Sequence, residues 1–262
     1  MIDFTIKSYR TLLSALNDQG FVFQTFSGFI QSPANKVIML RHDVDARKEN
    51  SFRFAEIQHT MGIHGSYYFR VVPVSFDKEM IRKISDMGHE IGYHYETMDT
   101  VSKELIKKKI KFTPEELIDR AYEEFCLNLI MFREIAPIET ICMHGSPRSR
   151  HDNKSIWKKY DYRNLGIRGE PYIDINFKEV AYLTDTGRKW NGSKVSIRDK
   201  VDSGFFLNFK STGDIINSVN SLPDKIMLTF HPQRWNDNPL IWAKELVMQN
   251  MKNQVKLFLV KS

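Results

Sequence analysis

Short apolar runs alternate with longer segments of helical periodicity along most of the chain. The apolar runs, rich in β-branched and aromatic residues, are residues 37–40, 66–72, 90–95, 139–143 and 225–230. The segments of helical periodicity are residues 47–61, 77–87, 114–135, 214–222 and 239–254. Strands that alternate with helices pair in parallel through right-handed crossovers. The pattern therefore predicts an α/β fold, as a parallel barrel or a doubly wound sheet, in a single domain of residues 1–262.

Two stretches depart from this alternation. Residues 1–36 comprise an amphipathic helix, predicted over residues 4–16 and ending near Gly20, and an aromatic-rich connector. Residues 155–210 break into short strand-like pieces separated by Gly and Asn, the last of them at residues 191–199. We interpret this second stretch as an irregular, strand-rich insertion in the same domain.

The composition is that of a globular protein with a substantial core. Hydrophobic residues make up 42% of the 262 residues and charged residues 27%, which excludes disordered and collagen-like chains. The sequence contains no recognisable export signal and no apolar stretch long enough to span a bilayer, so we expect a cytoplasmic protein without an integral membrane segment. The two cysteines, Cys126 and Cys142, are too few for a disulfide framework, which favours reduced core thiols.

The chain is basic, with 38 Lys and Arg against 32 Asp and Glu and a net charge of +6. Such a balance suits a phosphate-bearing ligand or an anionic membrane surface, and peripheral membrane contact stays open on this ground. The densest basic run, residues 103–111, mixes lysines with Leu105, Ile106 and Ile110, and we interpret it as a solvated face beside a half-buried stripe. No nucleic-acid-binding signature accompanies the charge, so a nucleic-acid partner is not expected.

Two acidic residues follow the first of the predicted strands, in the sequence RHDVDA. Side chains alternate along a strand, so Asp43 and Asp45 point to one side and His42 to the other. Two carboxylates this close repel each other unless a cation or a shared proton lies between them. In the alternative interpretation, one of the two acids only caps the helix that starts near Arg47.

Three histidines end later strands of the predicted sheet. His94 lies in GHEIGYHYE, His144 follows ETICM, and His231 follows IMLTF. One such histidine alone would usually be structural. The ends of parallel strands meet at one edge of the sheet, however, where these residues offer oxygen and nitrogen donors, a spare base and a spare acid. This combination is what metal-assisted hydrolysis requires.

The segments resemble those of the NodB-like polysaccharide deacetylases, the family 4 carbohydrate esterases. The resemblance rests on the HDVD acid pair, spaced as in some intracellular members, and on the GHEIG sequence of residues 88–92 before His94. It covers residues 37–147 and resumes at residues 225–232. It implies a distorted parallel (β/α) barrel, into which the strand-rich insertion would be set.

The resemblance also implies roles for particular residues. Asp43 matches the catalytic base, Asp45 a metal-binding acid and His94 the first metal-binding histidine. His231 matches the histidine that acts as general acid. His89 matches a family histidine that is not a ligand, and we expect it to be structural.

Two positions depart from the family pattern. The second metal-binding histidine of the family is replaced by Met98, and the arginine that steadies the base is replaced by His144. We expect His144 to supply the missing ligand, with Glu96 as the competing ligand and Arg41 or Arg168 in the role of the arginine. A weakened or lost metal site is the third alternative.

The sequence therefore predicts a metal-dependent hydrolase that removes an N-acetyl group from an amino sugar. Zinc is the expected cation, with cobalt, nickel or iron as alternatives. The substrate would be a nucleotide- or lipid-linked intermediate of surface polysaccharide synthesis, contacted by Arg41, Glu96, Arg168 and Trp235. The rival hypotheses are hydrolysis of a non-sugar C–N bond and a degenerate sugar-binding protein without turnover.

Overall fold

A parallel sheet forms the centre of the protein, which we describe from a computed structural model. The structure describes residues 2–145, 149–190 and 201–261, with side chains as far as residue 254. The strands in this part of the chain are β1 (Val22–Gln24), β2 (Val37–Val44), β3 (Ser66–Phe69), β4 (Glu90–Tyr95), β5 (Ile138–Met143), β6 (Ala181–Thr184) and β7 (Lys225–Phe230). Their order is β5-β4-β3-β2-β7-β6, with β1 beside the start of β2. All of these pairs are parallel, which confirms the predicted α/β fold.

Helices connect the strands, and each segment of predicted helical periodicity contains one. They are α1 (Ile6–Asp18), α2 (Phe26–Gln31), α3 (Lys48–Thr60), α4 (Lys78–Asp86), α5 (Thr97–Lys107), α6 (Pro114–Arg133), α7 (Pro171–Asp174), α8 (Thr212–Asn217) and α9 (Pro239–Lys261). Helix α6 begins with a capping box, in which Thr113 and Glu116 each accept the other's backbone N–H. Over the described residues, no helix combines the length and the hydrophobicity that crossing a bilayer requires.

Both stretches that depart from the alternating pattern contribute strands to the sheet. The N-terminal connector contains β1, and the predicted insertion of residues 155–210 contains β6, which pairs in parallel with β7. Each of these strands is only three or four residues long, too short for a periodic signal to reveal its partner. The strand-like piece at residues 191–199 lies outside the described residues.

An apolar cluster lies on one side of the sheet, beneath the strand ends. It comprises Phe26, Met39, Tyr68, Cys142, Ile175, Phe177, Val180 and Met227, and we call this the inner side. Gly92 faces it, and a Cβ at this position would lie 2.3 Å from the ring of Tyr68. The glycine therefore makes room for the tyrosine ring. Since side chains alternate along a strand, Asp43 and His94 project to the same inner side.

Two further histidines, His42 and His89, face the opposite side of the sheet and are structural. His42 is fully buried, and burial lowers its pKa to about 3. His89 is held by the backbone: its Nδ1 accepts the N–H of Gly65 at 3.2 Å, and its Nε2–H donates to the carbonyl of Ala55 at 3.0 Å. Burial lowers the pKa of His89 to about 4. A second proton on this ring would face the N–H of Gly65, so the folded protein keeps it neutral.

We therefore expect the stability of the protein to fall in mild acid, partly through His89. The unfolded chain takes up a proton at this ring below about pH 6.5, whereas the folded protein does so only near pH 4. The free energy of unfolding should thus decrease by on the order of 2 kcal/mol between about pH 7 and pH 4.5 from this group. The dependence of the free energy of unfolding on pH should be shallower for His89→Gln and unchanged for the exposed His59→Gln. Urea unfolding at several pH values measures it. Equal slopes for all three proteins would contradict this account.

Candidate metal centre

Three imidazoles surround the carboxylate of Asp45 at the ends of the strands. The Oδ1 atom of Asp45 lies 3.6 Å from Nε2 of His94 and 3.5 Å from Nε2 of His144. Its Oδ2 atom lies 4.0 Å from Nε2 of His231. Asp45 follows β2, His94 lies near the end of β4, and the other two histidines directly follow β5 and β7. The parallel order of these strands is what brings the four residues to one edge.

The donor set fits a divalent cation. Oδ1 of Asp45 is buried and has no hydrogen-bond partner in the part of the chain that the structure describes. Ligand atoms at about 2.0–2.2 Å from a tetrahedral cation are separated by roughly 3.3–3.6 Å, close to the spacing between this oxygen and the two nearer imidazoles. These two distances make Asp45, His94 and His144 candidate ligands of a zinc-like ion.

The charges of the three residues suit this role. Burial would raise the pKa of Asp45, but the neighbouring histidines, His144 first, outweigh it and lower the pKa below its usual range. Burial lowers the pKa of His94 to about 4, so this ring is neutral and its nitrogen lone pair is available. Burial opposes a charge on His144, yet Asp45 and Glu96 together raise its pKa. A cation at Asp45 would compete with that proton.

Hydrogen bonds fix the orientation of both candidate ligand rings. Nδ1 of His94 lies 2.9 Å from the carbonyl oxygen of Cys142, and Nδ1 of His144 lies 2.9 Å from Oε2 of Glu96. An N–H at each Nδ1 donates to these oxygens, so that in the neutral ring Nε2 is unprotonated and lies towards Asp45. Such outer contacts set the tautomer and raise the basicity of metal-binding imidazoles.

Glu96 is held between Arg70 and His144. Arg70 donates to Oε1 of Glu96 from Nε at 3.0 Å and from Nη2 at 2.8 Å, while Oε2 accepts from His144. Burial would raise the pKa of Glu96, but His144 and Arg70 lower it to about 2. Between the two ligands considered from the sequence, the geometry thus favours His144. Arg70 was not anticipated, since a single arginine after a strand carries no motif.

Asp43 is clamped by an arginine of its own strand. Arg41 donates to Oδ1 of Asp43 from Nε at 2.8 Å and to Oδ2 from Nη2 at 2.6 Å, and both side chains are buried. Burial would raise the pKa of Asp43, but Arg41 and His94 lower it to about 2. Arg41 thus occupies the supporting position considered for Arg41 or Arg168. It also donates to the hydroxyl of Tyr172 at 2.8 Å and is 1% exposed.

His231 is held by an aspartate that the sequence analysis missed. Oδ1 of Asp185 lies 2.6 Å from Nδ1 of His231, and its Oδ2 accepts the backbone N–H of His231 at 2.9 Å. Arg234 and Trp235 donate to the same carboxylate at 2.8 and 2.6 Å. Burial would raise the pKa of Asp185, but His231 and Arg234 lower it. The signal was present, because Asp185 directly follows β6 in the sequence LTDTG.

Two expected substrate contacts are corrected by the structure. Trp235 is fully buried, and its indole N–H is used by Asp185, so its ring offers no surface to a sugar. Arg168 forms an ion pair with Glu139 at 3.1 Å, near the start of β5 and thus at the opposite end from His144. Glu96 and Arg41 are likewise held within the site by the contacts described above. Tyr172 is half-buried, accepts a hydrogen bond from Arg41 and has the Arg41 guanidinium 4.7 Å from the centre of its ring.

Met98 lies in the hydrophobic core and takes no part in the site. It belongs to the buried face of α5 and is 4% exposed. Helix α5 begins at Thr97, two residues after the end of β4. The side chain of Met98 is therefore part of the hydrophobic core.

A second donor set shares His94 with the first. Atoms of Asp43, His94 and Cys142 that could bind a metal all lie within 4.8 Å of one another, and all three residues are buried. This set lies deeper, towards the apolar cluster that includes Cys142. Its carboxylate is already paired with Arg41, whereas that of Asp45 has an unpartnered oxygen in the described structure. Each set thus has one geometric argument in its favour: mutual closeness of three ligand atoms for Asp43, His94 and Cys142, and an unpartnered oxygen in the described structure for the set around Asp45.

Comparison with known proteins yields distant structural similarities. No known family profile and no curated protein sequence matches the chain. A CE4 family pseudoenzyme from Bacillus anthracis aligns at 13% identity and a TM-score of 0.43 over 86% of this chain, which spans 62% of the length of that protein. A family 4 carbohydrate esterase from Bacillus anthracis aligns at 10% identity and a TM-score of 0.40 over 93% of this chain and 85% of its own. PdaA of Bacillus subtilis, also a family 4 carbohydrate esterase, aligns at 13% identity and a TM-score of 0.38, over 96% and 90% of the two chains.

Substitution of the three candidate ligands should abolish metal binding. We expect Asp45→Ala, His94→Ala and His144→Ala each to weaken zinc affinity by more than about 100-fold, beyond the 10–100-fold effect of outer contacts. Asp43→Asn should keep its zinc, since Asp43 is paired with Arg41. Isothermal titration and elemental analysis measure both outcomes. The roles must be exchanged if the Asp43 variant loses the metal and the Asp45 variant retains it.

The spectrum of the cobalt form distinguishes the two donor sets. Thiolate ligation to Co²⁺ gives an intense near-ultraviolet charge-transfer band that oxygen and nitrogen ligands do not give. We expect no such band in the wild-type cobalt protein, and a visible spectrum that Cys142→Ser leaves unchanged. A strong band that disappears in Cys142→Ser would place the ion between Asp43, His94 and Cys142 instead.

Proposed function

We propose that the protein is a metal-dependent N-deacetylase of acetylated amino sugars, of the NodB-like family 4 carbohydrate esterase type. The observation that carries this proposal is the arrangement around Asp45. An unpartnered carboxylate oxygen faces two oriented imidazoles, with the Arg41-clamped Asp43 and the Asp185-held His231 beside them. Base, cation ligands and acid thus meet at one edge of the sheet, as amide hydrolysis demands.

Asp43 is the proposed general base. Its pKa of about 2 keeps it ionised at neutral pH, and Arg41 fixes both of its oxygens. A divalent cation, when bound, would polarise the acetyl carbonyl and make water acidic enough for so weak a base. Asp43 then takes one proton from the attacking water as the C–O bond forms at the carbonyl carbon.

His231 is the proposed general acid. Its Nδ1–H donates to Asp185, which leaves Nε2 facing the site, 4.0 Å from Oδ2 of Asp45. In the charged imidazolium the ionised Asp185 compensates the added charge, as an orienting carboxylate does in other acid–base pairs. Nε2–H donates its proton to the sugar nitrogen as the C–N bond breaks. The products are acetate and the free amino sugar.

We further propose a cytoplasmic, nucleotide- or lipid-linked amino sugar as the substrate. The basic balance of the chain, +6, suits a substrate that carries phosphate groups. Lys154 and Arg41, both near the ring of Tyr172, add positive charge beside the site that would suit such a substrate.

The proposal is tested by release of acetate from nucleotide-linked N-acetylamino sugars. A chelator should abolish the reaction and zinc or cobalt should restore it. Asp43→Asn and Asp185→Asn should each lower kcat by about 10²–10⁴-fold while elemental analysis finds the metal content unchanged. Asp152→Asn, a matched change of an exposed helix-capping aspartate, should leave kcat unaltered. Full activity of protein verified to be free of metal would end the hydrolytic proposal, and bound metal without turnover on any acetylated sugar would favour a binding protein.

A further inference from the structure

The C-terminal helix α9 turns three polar residues towards the protein, beside the half-buried Trp242 and Leu246. Gln249 and Asn253 are each 4% exposed, they hydrogen-bond to each other at 2.8 Å, and Asn253 donates to the carbonyl of Gly187 at 2.9 Å. Glu245 forms an ion pair with Arg47 at 3.2 Å. These residues recur every four positions, so they form one side of the helix.

The opposite side of α9 is apolar and faces solvent. Leu240, Val247 and Met251 are 82%, 59% and 63% exposed, and Met248 beside them is 44% exposed. With 100° of rotation per residue, these side chains lie within one half of the helix surface. A surface helix of a globular protein normally has the reverse arrangement, with its apolar stripe against the core. The reversal indicates that another apolar phase covers this side.

Two lysines accompany these apolar residues. Lys244 and Lys252 are exposed and project from the same half of the helix. Among the described side chains of α9, Glu245 alone is acidic, and it points inward to Arg47. We define the outer face of α9 as Leu240, Lys244, Val247, Met248, Met251 and Lys252. It is apolar, basic and without an acidic residue.

We propose that the outer face of α9 binds an anionic membrane surface, lying in the interface with its apolar side chains among the acyl chains. Amphipathic helices that combine apolar residues with lysines bind lipid surfaces in this way. The lysines reach the anionic headgroups while their methylene stems stay in the apolar layer. The inference is independent of the proposed reaction, because no residue of the outer face belongs to the site.

The charge pattern argues against a second copy of the chain as the occupant. An antiparallel pairing of two α9 helices centred on Met248 places Lys244 of one copy across from Lys252 of the other. A parallel pairing places each lysine against itself. In either case the outer face offers no carboxylate to compensate the repulsion, whereas an anionic leaflet compensates both lysines.

Co-sedimentation with lipid vesicles tests this proposal on the full-length protein. We expect binding to vesicles of equal parts phosphatidylcholine and phosphatidylglycerol, little binding to pure phosphatidylcholine, and weakening by salt. Val247→Glu and Met251→Glu should each reduce the affinity by about tenfold or more, and Lys244→Gln by about fivefold. Leu127→Glu, a matched change of a 68% exposed residue on α6, should bind as the wild type does. Since all these side chains are exposed, thermal unfolding should be unaffected.

Three results would overturn the proposal. The first is equal vesicle binding by the wild type and by the Val247 and Met251 variants. The second is equal binding of the wild type to neutral and anionic vesicles. The third is a dimer, seen by light scattering, that the same substitutions dissociate, which would assign the outer face to a second copy of the chain. Because vesicle binding is measured without turnover, Asp43→Asn should bind as the wild type does, and failure of the reaction is thus separable from failure of this proposal.

Discussion

A buried carboxylate oxygen without a hydrogen bond is costly, since it has lost water and gained no partner. Oδ1 of Asp45 is such an atom in the described structure, and two imidazole nitrogens stand 3.5 and 3.6 Å from it. These separations are too long for hydrogen bonds and suit ligands of a common cation. The imidazoles of His94, His144 and His231 surround this carboxylate, and each of them is held in its orientation by a further hydrogen bond.

Each functional side chain has a charged or backbone partner behind it. His144 is hydrogen-bonded to Glu96, which in turn pairs with Arg70. His231 is paired with Asp185, and Asp43 with Arg41. These partners alternate in sign with the groups they support, so that His144, His231 and Asp43 each lie beside an opposite charge. The arrangement keeps each ring in one tautomer and each carboxylate ionised, which pre-organises the site before any ligand arrives.

The place of Met98 in the fold follows from the short connection between β4 and α5. Strand β4 ends at Tyr95 and α5 begins at Thr97, so the chain leaves the sheet immediately after His94. Met98 therefore lies on the buried face of the helix. An apolar side chain packs well there, whereas a buried imidazole would need hydrogen-bond partners. The imidazole that lies beside His94 belongs to His144, at the end of the adjacent strand β5, with the ring centroids 5.2 Å apart.

The sequence by itself determined the alternation of strands and helices, the strand-end positions of Asp45, His94, His144 and His231, and the division of His42 from Asp43. These are local properties, because periodicity and the alternation of side chains depend only on neighbouring residues. Only the tertiary structure decided which acid supports which base. The partnership of His231 with Asp185 spans 46 residues and depends on β6 pairing with β7, and the burial of Trp235 depends on the same packing. Strand β6 is only four residues long, too short for a periodic pattern of apolar residues to reveal its partner strand. The contact between Asp185 and His231 is therefore apparent only once β6 and β7 are paired.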